Sequence, residues 1–345
     1  MLAAVLHDFN NLLLEDIPIP DPGPGEVLIQ IQSCGFCATD FKAILGIRRN
    51  VDFPLVPGHE PAGIVAAIGD HVTHVKEGDD VIIQPSGYCG LCQYCRMGMT
   101  HYCQESYTTG GDGPDDVRPG SFSQYTLTGA NTVYHKPASI DFDAACQTEP
   151  VSGAWKGIIH QSEMQVGDDV VIIGTGSIGV YCLMVAKAAG AGRLVAVDLS
   201  DYSLSTAKRL GATHTINPKQ VDAKQAIYDI MPDGPDLVVE AAGPIEAVRL
   251  MVSLLRRGTR WNVFGITTPE EFKLDGGLIH FLEARMDASF GTNPLAMQQA
   301  IRLMQRDLVD PKQVISHRFP LSEISQALDV MASTKRNKVI IHPNA

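Results

Sequence analysis

Hydrophobic residues in the second half of the chain fall into short, continuous runs that alternate with longer amphipathic segments. Four runs, at 170–173, 194–197, 237–240 and 262–264, are bounded by polar residues or glycine and predict buried strands. The segments between them, at 178–189, 203–210 and 244–255, place apolar residues at helical spacing. This alternation predicts an α/β fold with a parallel, doubly wound sheet.

The two ends of the chain follow a different pattern. Runs rich in β-branched residues at 28–32, 63–68 and 81–84 predict a β-rich first third. The polar segment 104–121, rich in Gly, Asp and Pro, predicts a long loop of the kind that is often functional. Amphipathic helices at 295–306 and 322–331 and a strand at 338–342 are expected near the C terminus. A chain of 345 residues is long enough for about two domains.

Composition and charge narrow the class of protein. The apolar stretch 170–189 is interrupted by glycines and polar residues, so a buried strand and helix explain it better than a membrane span. No basic segment precedes the apolar start at 1–6, so no secretory leader is expected. Residues 1–150 hold 7 Lys and Arg against 19 Asp and Glu, which carries the whole net charge of −12. We therefore expect a cytoplasmic protein that binds neither nucleic acid nor membranes and does not favour phosphorylated substrates.

A glycine-rich turn follows the first strand of the parallel sheet. Residues 174–179 read G-T-G-S-I-G, between a predicted strand and a predicted helix. In a dinucleotide fingerprint these glycines form the tight turn, admit the pyrophosphate and allow the helix to pack on the strand. The residues expected to contact the cofactor are Gly174, Gly176, Ser177, Ile178 and Gly179. The alternative is an ordinary glycine turn of an α/β domain.

Asp198 ends the second predicted strand, 19 residues after Gly179. An acid at this place accepts hydrogen bonds from the ribose hydroxyls of NAD. Its carboxylate would repel the 2′-phosphate of NADP, and no Lys or Arg follows before Lys208, so we expect NAD as the cofactor. The alternative for this acid is a helix N-cap.

Four closely spaced cysteines, Cys89, Cys92, Cys95 and Cys103, form the strongest metal motif. Four thiolates close a tetrahedral shell around one Zn²⁺ and leave no open position, so the predicted role is structural. The alternative, a disulfide cluster, does not fit a chain of 345 residues with 8 cysteines.

A second, mixed set of donors lies elsewhere and is typical of an open, catalytic zinc. Its candidate ligands are Cys37, His59, Glu60 and Glu149. Zinc at such a site lowers the pKa of a hydroxyl group and so favours hydride release to a nicotinamide. Thr39 is placed to relay the departing proton, and Asp40 to orient His59. Each residue alone is weak evidence, since a lone Cys is more often a small buried hydrophobic residue.

Together these motifs resemble the zinc-dependent medium-chain dehydrogenases/reductases, in particular the sorbitol (polyol) and threonine dehydrogenase branch. The resemblance spans the chain in the motifs GFCATD (35–40), GHE (58–60), the cysteine lobe (89–103), TEP (148–150), GTGSIG (174–179), VFG (263–265), ASFG (288–291) and KVII (338–341). It implies a GroES-like catalytic domain at 1–150 and 292–345, with a Rossmann domain inserted at 151–291.

The resemblance also implies roles for individual residues. Cys37, His59 and Glu60 become ligands, while Glu149 stands where the alcohol dehydrogenase branch has a second cysteine. The motif that contains Val263 and Phe264 is expected to contact the cofactor. A homodimer or homotetramer, formed partly by sheet extension around 288–290, is the expected assembly.

Three features depart from the family pattern. Lys42 occupies the place where several relatives have a proton-relay histidine, which leaves the relay beyond Thr39 open. Ser203 stands where many relatives have a Lys or Arg near the adenosine ribose. The segment 104–121 is longer and more acidic than usual and is a candidate for shaping the substrate cleft.

The resulting hypothesis is a zinc enzyme that oxidises a secondary alcohol of a polyol or sugar alcohol with NAD. A second hypothesis is a threonine or vicinal-diol dehydrogenase on the same scaffold. A zinc- and nucleotide-binding protein without turnover, and a zinc-free quinone reductase, are the remaining alternatives. Neither fits a chain that keeps all eight candidate ligand positions.

Overall fold

The computed structural model describes residues 1–47, 51–110, 116–265 and 271–345, and for 116 and 117 the backbone only. The chain divides into two compact units. The first unit comprises Met1–Ser152 and Thr292–Ala345, and the second comprises Gly153–Gly291.

The first unit is β-rich, as its sequence pattern predicts. Before the chain passes into the second unit, it forms β1 (Leu2–Asp8), β2 (Asn11–Asp16), β3 (Glu26–Phe36), α1 (Ala38–Ile44), β4 (Glu60–Ile68), β5 (Asp80–Ile83), β6 (Ser86–Gly87), α2 (Gln93–Arg96), β7 (Tyr107–Thr109), β8 (Asp116–Arg118), β9 (Tyr125–Gly129), β10 (Val133–His135), α3 (Phe142–Ala145) and the beginning of α4 (Thr148–Trp155).

The second unit begins with the end of α4 and a π-helical segment, Lys156–Gln161. It continues with β11 (Val170–Ile173), α5 (Ser177–Ala188), β12 (Leu194–Val197), α6 (Asp201–Leu210), β13 (His214–Ile216), α7 (Ala223–Ile230), β14 (Leu237–Glu240), α8 (Ile245–Ser253), β15 (Arg260–Val263), α9 (Gly276–Leu282) and β16 (Arg285–Ala288). The chain then returns to the first unit with α10 (Pro294–Gln305), β17 (Ile315–Pro320), α11 (Ile324–Ala332) and β18 (Lys338–His342).

Two sheets determine where functional residues lie. In the first unit, a seven-stranded sheet runs in the order β10-β5-β4-β3-β18-β17, with β9 also paired to β3. Because β18 pairs with β3, the last strand of the chain lies beside the first long one. The core under this sheet includes Ile29, Phe36, Phe122 and Ile341, all buried.

The second unit is a six-stranded parallel sheet in the order β13-β12-β11-β14-β15-β16. Numbered within the unit, this is the order 3-2-1-4-5-6 of dinucleotide-binding Rossmann sheets. Helices cover the central strands on both faces, and β11, β12 and β14 are apolar except for Glu240 and are buried at every position. The stretch 170–189 is therefore β11 followed by α5, as predicted. No helix within the described parts of the chain combines the length and the apolar character that crossing a membrane requires.

The prediction of a loop at 104–121 is wrong in part. Tyr107–Thr109 and Asp116–Arg118 form β7 and β8, which pair in parallel within a three-stranded sheet with β6. The guanidinium of Arg118 lies 3.8 Å above the Tyr107 ring and also pairs with Glu26 at 3.0 Å. These non-local contacts stabilise strands that composition alone does not indicate. Residues 111–115 of this segment lie outside the described residues.

Candidate zinc and nucleotide sites

The four-cysteine motif forms a compact cluster around the short helix α2. The sulfurs of Cys89, Cys92, Cys95 and Cys103 all lie within 4.8 Å of one another. All four cysteines are free thiols, which excludes a disulfide among them. This arrangement fits a tetrahedral zinc held by four thiolates, a site with no open position and therefore no chemistry of its own.

Backbone amides favour the thiolate forms of Cys89 and Cys92. The N–H of Cys89 donates to Cys103 Sγ at 3.3 Å, and the N–H groups of Leu91 and Cys92 donate to Cys89 Sγ at 3.4 Å. The amides of Cys95 and Gln104 lower the pKa of the Cys92 thiol to about 6. Zinc binds thiolate rather than thiol, so these amides prepare the loop for the metal.

The mixed set of donors meets where β3 ends and β4 begins. Cys37 precedes α1, immediately after β3, while His59 directly precedes β4 and Glu60 is its first residue. The antiparallel register pairs Gly35 with Glu60, which brings the two strand ends together. Ligand atoms of Cys37, His59 and Glu60 all lie within 4.8 Å of one another. A thiol, an imidazole and a carboxylate at this spacing are a donor set that Zn²⁺ accepts.

Asp40 holds this cluster in shape. Its Oδ1 atom lies 3.0 Å from His59 Nδ1 and accepts the N–H of Gly58 at 3.1 Å, while Oδ2 accepts the N–H of Cys37 at 3.0 Å. With Nδ1 bound to Asp40, Nε2 of His59 is the nitrogen left for a metal. Burial works against the charged ring, but the Asp40 carboxylate outweighs it and raises the pKa of His59 well above its ordinary value.

Lys338 is a member of the site that sequence reasoning missed. Its ammonium donates to Glu60 Oε1 at 2.8 Å and to Oε2 at 2.5 Å, with side chains only 2% and 1% exposed. Gly35 makes room for this pair, because a Cβ there would lie 1.9 Å from Glu60 Oε2. The Glu60 charge is thus compensated within the protein, and a metal would share this carboxylate with Lys338. The one signal in the sequence was a lysine directly before the apolar run of β18.

Glu149 and Thr39 lie beside the cluster and not within it. Glu149 sits in the first turn of α4, and burial raises its pKa to about 7. His59, Glu60 and Lys338 all act on that pKa, so the carboxyl group lies in the same electrostatic environment. It is not one of the three donors within 4.8 Å of one another. The hydroxyl of Thr39, in α1, is partly exposed and has no hydrogen-bond partner in the described part of the chain.

In the second unit, the glycine-rich turn joins β11 to α5. Gly174 has a φ of +88°, a left-handed conformation that favours glycine. Gly176 is the N-cap of α5, and a Cβ on Gly179 would lie 1.8 Å from the Gly174 carbonyl oxygen. Ser177 and Ile178 form the partly exposed first turn of the helix. The N–H groups at a helix start suit a pyrophosphate.

Asp198 lies directly after β12, beside this turn. Its Oδ2 accepts the Thr175 N–H at 2.7 Å and the Thr175 hydroxyl at 3.1 Å, and its Oδ1 accepts the Ser200 N–H at 2.8 Å. The N-cap of α6 is Ser200, whose hydroxyl accepts the Ser203 N–H. Asp198 is therefore not the helix cap. It keeps acceptor capacity for a ribose, because a carboxylate has about four acceptor sites.

Val263 and Phe264 lie at the carboxyl end of β15. Val263 is the last residue of that strand, and Phe264 follows it. A Cβ on Gly157 would lie 2.8 Å from the Phe264 ring, so the ring packs against the π-helical segment. This edge of a parallel sheet is where dinucleotides bind in doubly wound folds.

Known proteins match this chain over nearly its whole length. The family profiles "Alcohol dehydrogenase GroES-like domain" and "Zinc-binding dehydrogenase" match residues 23–138 and 177–306. The chain is 34% identical to the L-threonine 3-dehydrogenase of Bacillus velezensis over 96% of this chain and 95% of the relative. It is 31% identical to the sorbitol dehydrogenase of Bacillus subtilis, over 100% of this chain and 98% of the relative.

A solved structure from Sinorhizobium meliloti, described as a zinc-binding dehydrogenase bound to NADP, matches with a TM-score of 0.91. It is 27% identical, over 99% of both chains. The fold is therefore a GroES-like β-rich domain with a Rossmann domain, and the chain is an oxidoreductase that uses zinc and a nicotinamide dinucleotide. From these matches and the donor sets described above, the chain belongs to the zinc-dependent medium-chain dehydrogenase/reductase family.

Proposed function

We propose that this dehydrogenase oxidises a secondary hydroxyl of a polyol or sugar alcohol to a ketone, with NAD as the hydride acceptor. The observation that carries the proposal is the cluster of Cys37, His59 and Glu60, whose donor atoms lie within 4.8 Å of one another. Zinc bound there supplies Lewis acidity that lowers the pKa of a hydroxyl group toward neutrality. The Cys89–Cys103 lobe would hold a second, structural zinc.

The residues around the cluster have separate tasks in this proposal. Asp40 fixes the ring of His59 through the contact of 3.0 Å. Lys338 orients Glu60 through two hydrogen bonds to its carboxylate. The Thr39 hydroxyl accepts the substrate proton at Oγ1 while it passes its own proton on to solvent, and the raised pKa of Glu149, about 7, suits a group that exchanges protons near neutral pH.

NAD is the proposed cofactor because of the charges near the ribose position. The carboxylate of Asp198 is fixed beside the glycine turn by Thr175 and Ser200. Lys208, the first cation after it in the sequence, donates to the Thr213 carbonyl at 2.7 Å. A 2′-phosphate would therefore meet a fixed negative charge, and the first cation along the chain is already engaged.

The substrate class has two candidates. The excess of acidic residues in 1–150 disfavours a phosphorylated substrate and suits a neutral polyol. The same excess suits the ammonium of an amino acid, and a relative 34% identical is an L-threonine 3-dehydrogenase. Threonine or a vicinal diol is therefore the second candidate.

The discriminating experiment is a comparison of kcat/KM for NADH formation across polyols, short vicinal diols, simple secondary alcohols and threonine, with NAD and with NADP. The proposal expects the highest value for one polyol with NAD. Preference for threonine would move the assignment to the second candidate, and preference for NADP would remove the role given to Asp198.

The organisation of the protein is part of the proposal. We assign 1–150 and 292–345 to the catalytic domain and 151–291 to the cofactor domain, and we propose a homodimer or homotetramer. The eight free thiols suit a reducing compartment, which supports a cytoplasmic location.

A further inference from the structure

Lys156 is a buried cation to which the functions above assign no role. It is the first residue of the π-helical segment Lys156–Gln161 and is 1% exposed. Its ammonium donates to the Phe290 carbonyl oxygen at 2.7 Å. Among the described residues, no carboxylate lies within ion-pair distance of it. An ammonium has three donors, so this one is buried with a single acceptor and no counter-charge.

The surroundings of Lys156 place it at one edge of the parallel sheet. Phe290 comes just after β16, and Phe264 comes directly after β15. A Cβ on the neighbouring Gly157 would lie 2.7 Å from Ser289 Oγ and 2.8 Å from the Phe264 ring. The π-helical segment therefore packs directly on the carboxyl ends of β15 and β16. Phe290 itself is 68% exposed, so the segment that Lys156 holds lies at the surface of this unit.

This edge corresponds to one half of a dinucleotide site. The glycine fingerprint and Asp198 lie at β11 and β12, the half that binds the adenosine side. In the order β13-β12-β11-β14-β15-β16, the strands β14 to β16 form the other half, which receives the nicotinamide side. The ring of that nicotinamide carries a positive charge in NAD⁺ and none in NADH.

We propose that Lys156 is a positioning residue at the nicotinamide end of the cofactor site, where its buried positive charge favours NADH over NAD⁺. The hydrogen bond to the Phe290 carbonyl fixes the backbone after β16. The uncompensated charge acts on the oxidised ring at low effective dielectric, where repulsion between like charges is strong. Burial lowers the pKa of Lys156 to about 8, so the ammonium still carries its charge at neutral pH. This inference rests on the nicotinamide cofactor of the proposed function.

The test measures dissociation constants for NAD⁺ and NADH, by calorimetry and by NADH fluorescence, on the zinc-loaded full chain at pH 7. Lys156→Gln removes the charge and keeps a donor for the Phe290 carbonyl, whereas Lys156→Met removes both. The matched control is Lys187→Met, because Lys187 also donates to a carbonyl, that of Leu210 at 3.3 Å, but lies on α5. We expect the ratio Kd(NAD⁺)/Kd(NADH) to fall about tenfold in both Lys156 variants, ~1.4 kcal/mol, and to stay within about twofold in the control.

Each other outcome has a defined meaning. A ratio that does not move in the Gln variant, with both cofactors bound, overturns the electrostatic role and leaves Lys156 as a mechanical support. If neither cofactor binds the unmodified protein, the proposed function fails and this inference fails with it.

The unmodified protein provides a second measurement, which does not depend on whether a variant folds. NADH is expected to bind more tightly than NAD⁺, and ADP-ribose, which lacks the ring, at least as tightly as NAD⁺. Tighter binding of NAD⁺ than of NADH would contradict the proposal.

Discussion

Replacing Asp40 with asparagine tests how the candidate catalytic zinc site is held together. The carboxylate contacts three nitrogen atoms, those of the Cys37 and Gly58 amides and of the His59 ring, at 3.0 to 3.1 Å. Asparagine has the same shape but only one carbonyl oxygen, so its NH₂ group must face one of these N–H donors. The ring of His59 also loses the negative charge that raises its pKa.

The expected loss can be worked from these contacts. One hydrogen bond to a charged group contributes about 1.5–3 kcal/mol. Loss of a partner that orients a metal-binding histidine typically lowers metal affinity by about 10–100-fold, a comparable free energy. We therefore expect Asp40→Asn to bind one of its two zinc ions about 10–100-fold more weakly.

Competition with a chromophoric zinc chelator measures this loss. The cysteine cluster serves as an internal reference, since its zinc affinity should not change. A matched control is Asp143→Asn, because Asp143 also lies against three polar groups, those of Ser33, Arg318 and His342, but none belongs to the zinc cluster. Two zinc sites of unchanged affinity in a folded Asp40→Asn protein would refute the role given to Asp40.

Four further predictions follow from individual contacts. Glu149→Ala should lower turnover far more than it lowers the affinity for NAD, since the carboxyl group shares the electrostatic environment of the zinc cluster. A turnover equal to that of the unmodified protein in steady-state kinetics would remove Glu149 from the site. Asp198→Ala should raise the KM for NAD and reduce discrimination against NADP by ~1–3 kcal/mol, measured as the ratio of kcat/KM values. Lys338→Met should lower the free energy of unfolding by about 3–5 kcal/mol in denaturant titrations, because it leaves the buried Glu60 charge unpaired, and adding Glu60→Gln should recover part of this loss. Burial would raise the pKa of Asp143, but contacts with His342, Arg318 and Ser33 hold this pKa below its ordinary value. The ionised carboxylate therefore stabilises the folded protein above about pH 4, and this stabilisation is lost as the pH falls further. The difference in free energy of unfolding between the unmodified protein and Asp143→Asn should narrow between pH 7 and pH 3.

The elements predicted best are those whose residues are buried on all sides. The runs at 170–173, 194–197, 237–240 and 338–342 are strands with those same bounds. Strands covered on both faces consist mostly of apolar residues, so the hydrophobic run marks them closely, although Glu240, Lys338 and His342 are polar strand ends. Strand β15 begins two residues earlier than predicted, at the polar Arg260, because pairing with β14 and not polarity determines its start.

Elements whose own residues lack a clear strand or helix pattern were not predicted from the sequence. The hairpin of β1 and β2 gave no signal, because β2 is largely exposed and lacks a regular alternation. Strands β7 and β8 depend on one another across the segment 104–121. The π-helical segment Lys156–Gln161 follows α4 without a break in the hydrophobic pattern, so only the structure distinguishes it.

The functional sites also combine residues that a sequence motif identifies with residues that only the tertiary structure brings together. Ligand types and their spacing along the chain led to both sets of zinc donors, because metals select residue types that can be recognised in a sequence. The pair of Lys338 and Glu60 joins residues separated by 278 positions. It arises from the pairing of β18 with β3 and of β3 with β4, a register that no local pattern encodes.

The role of the Cys37 and His59 zinc site is tested by NADH formation, followed by absorbance, with zinc-loaded protein, NAD and the best polyol of the substrate panel. We expect steady NADH formation that stops when a chelator removes the zinc bound at Cys37 and His59. Activity should return on addition of Zn²⁺. Turnover that persists after metal analysis shows this zinc to be gone would contradict the central claim.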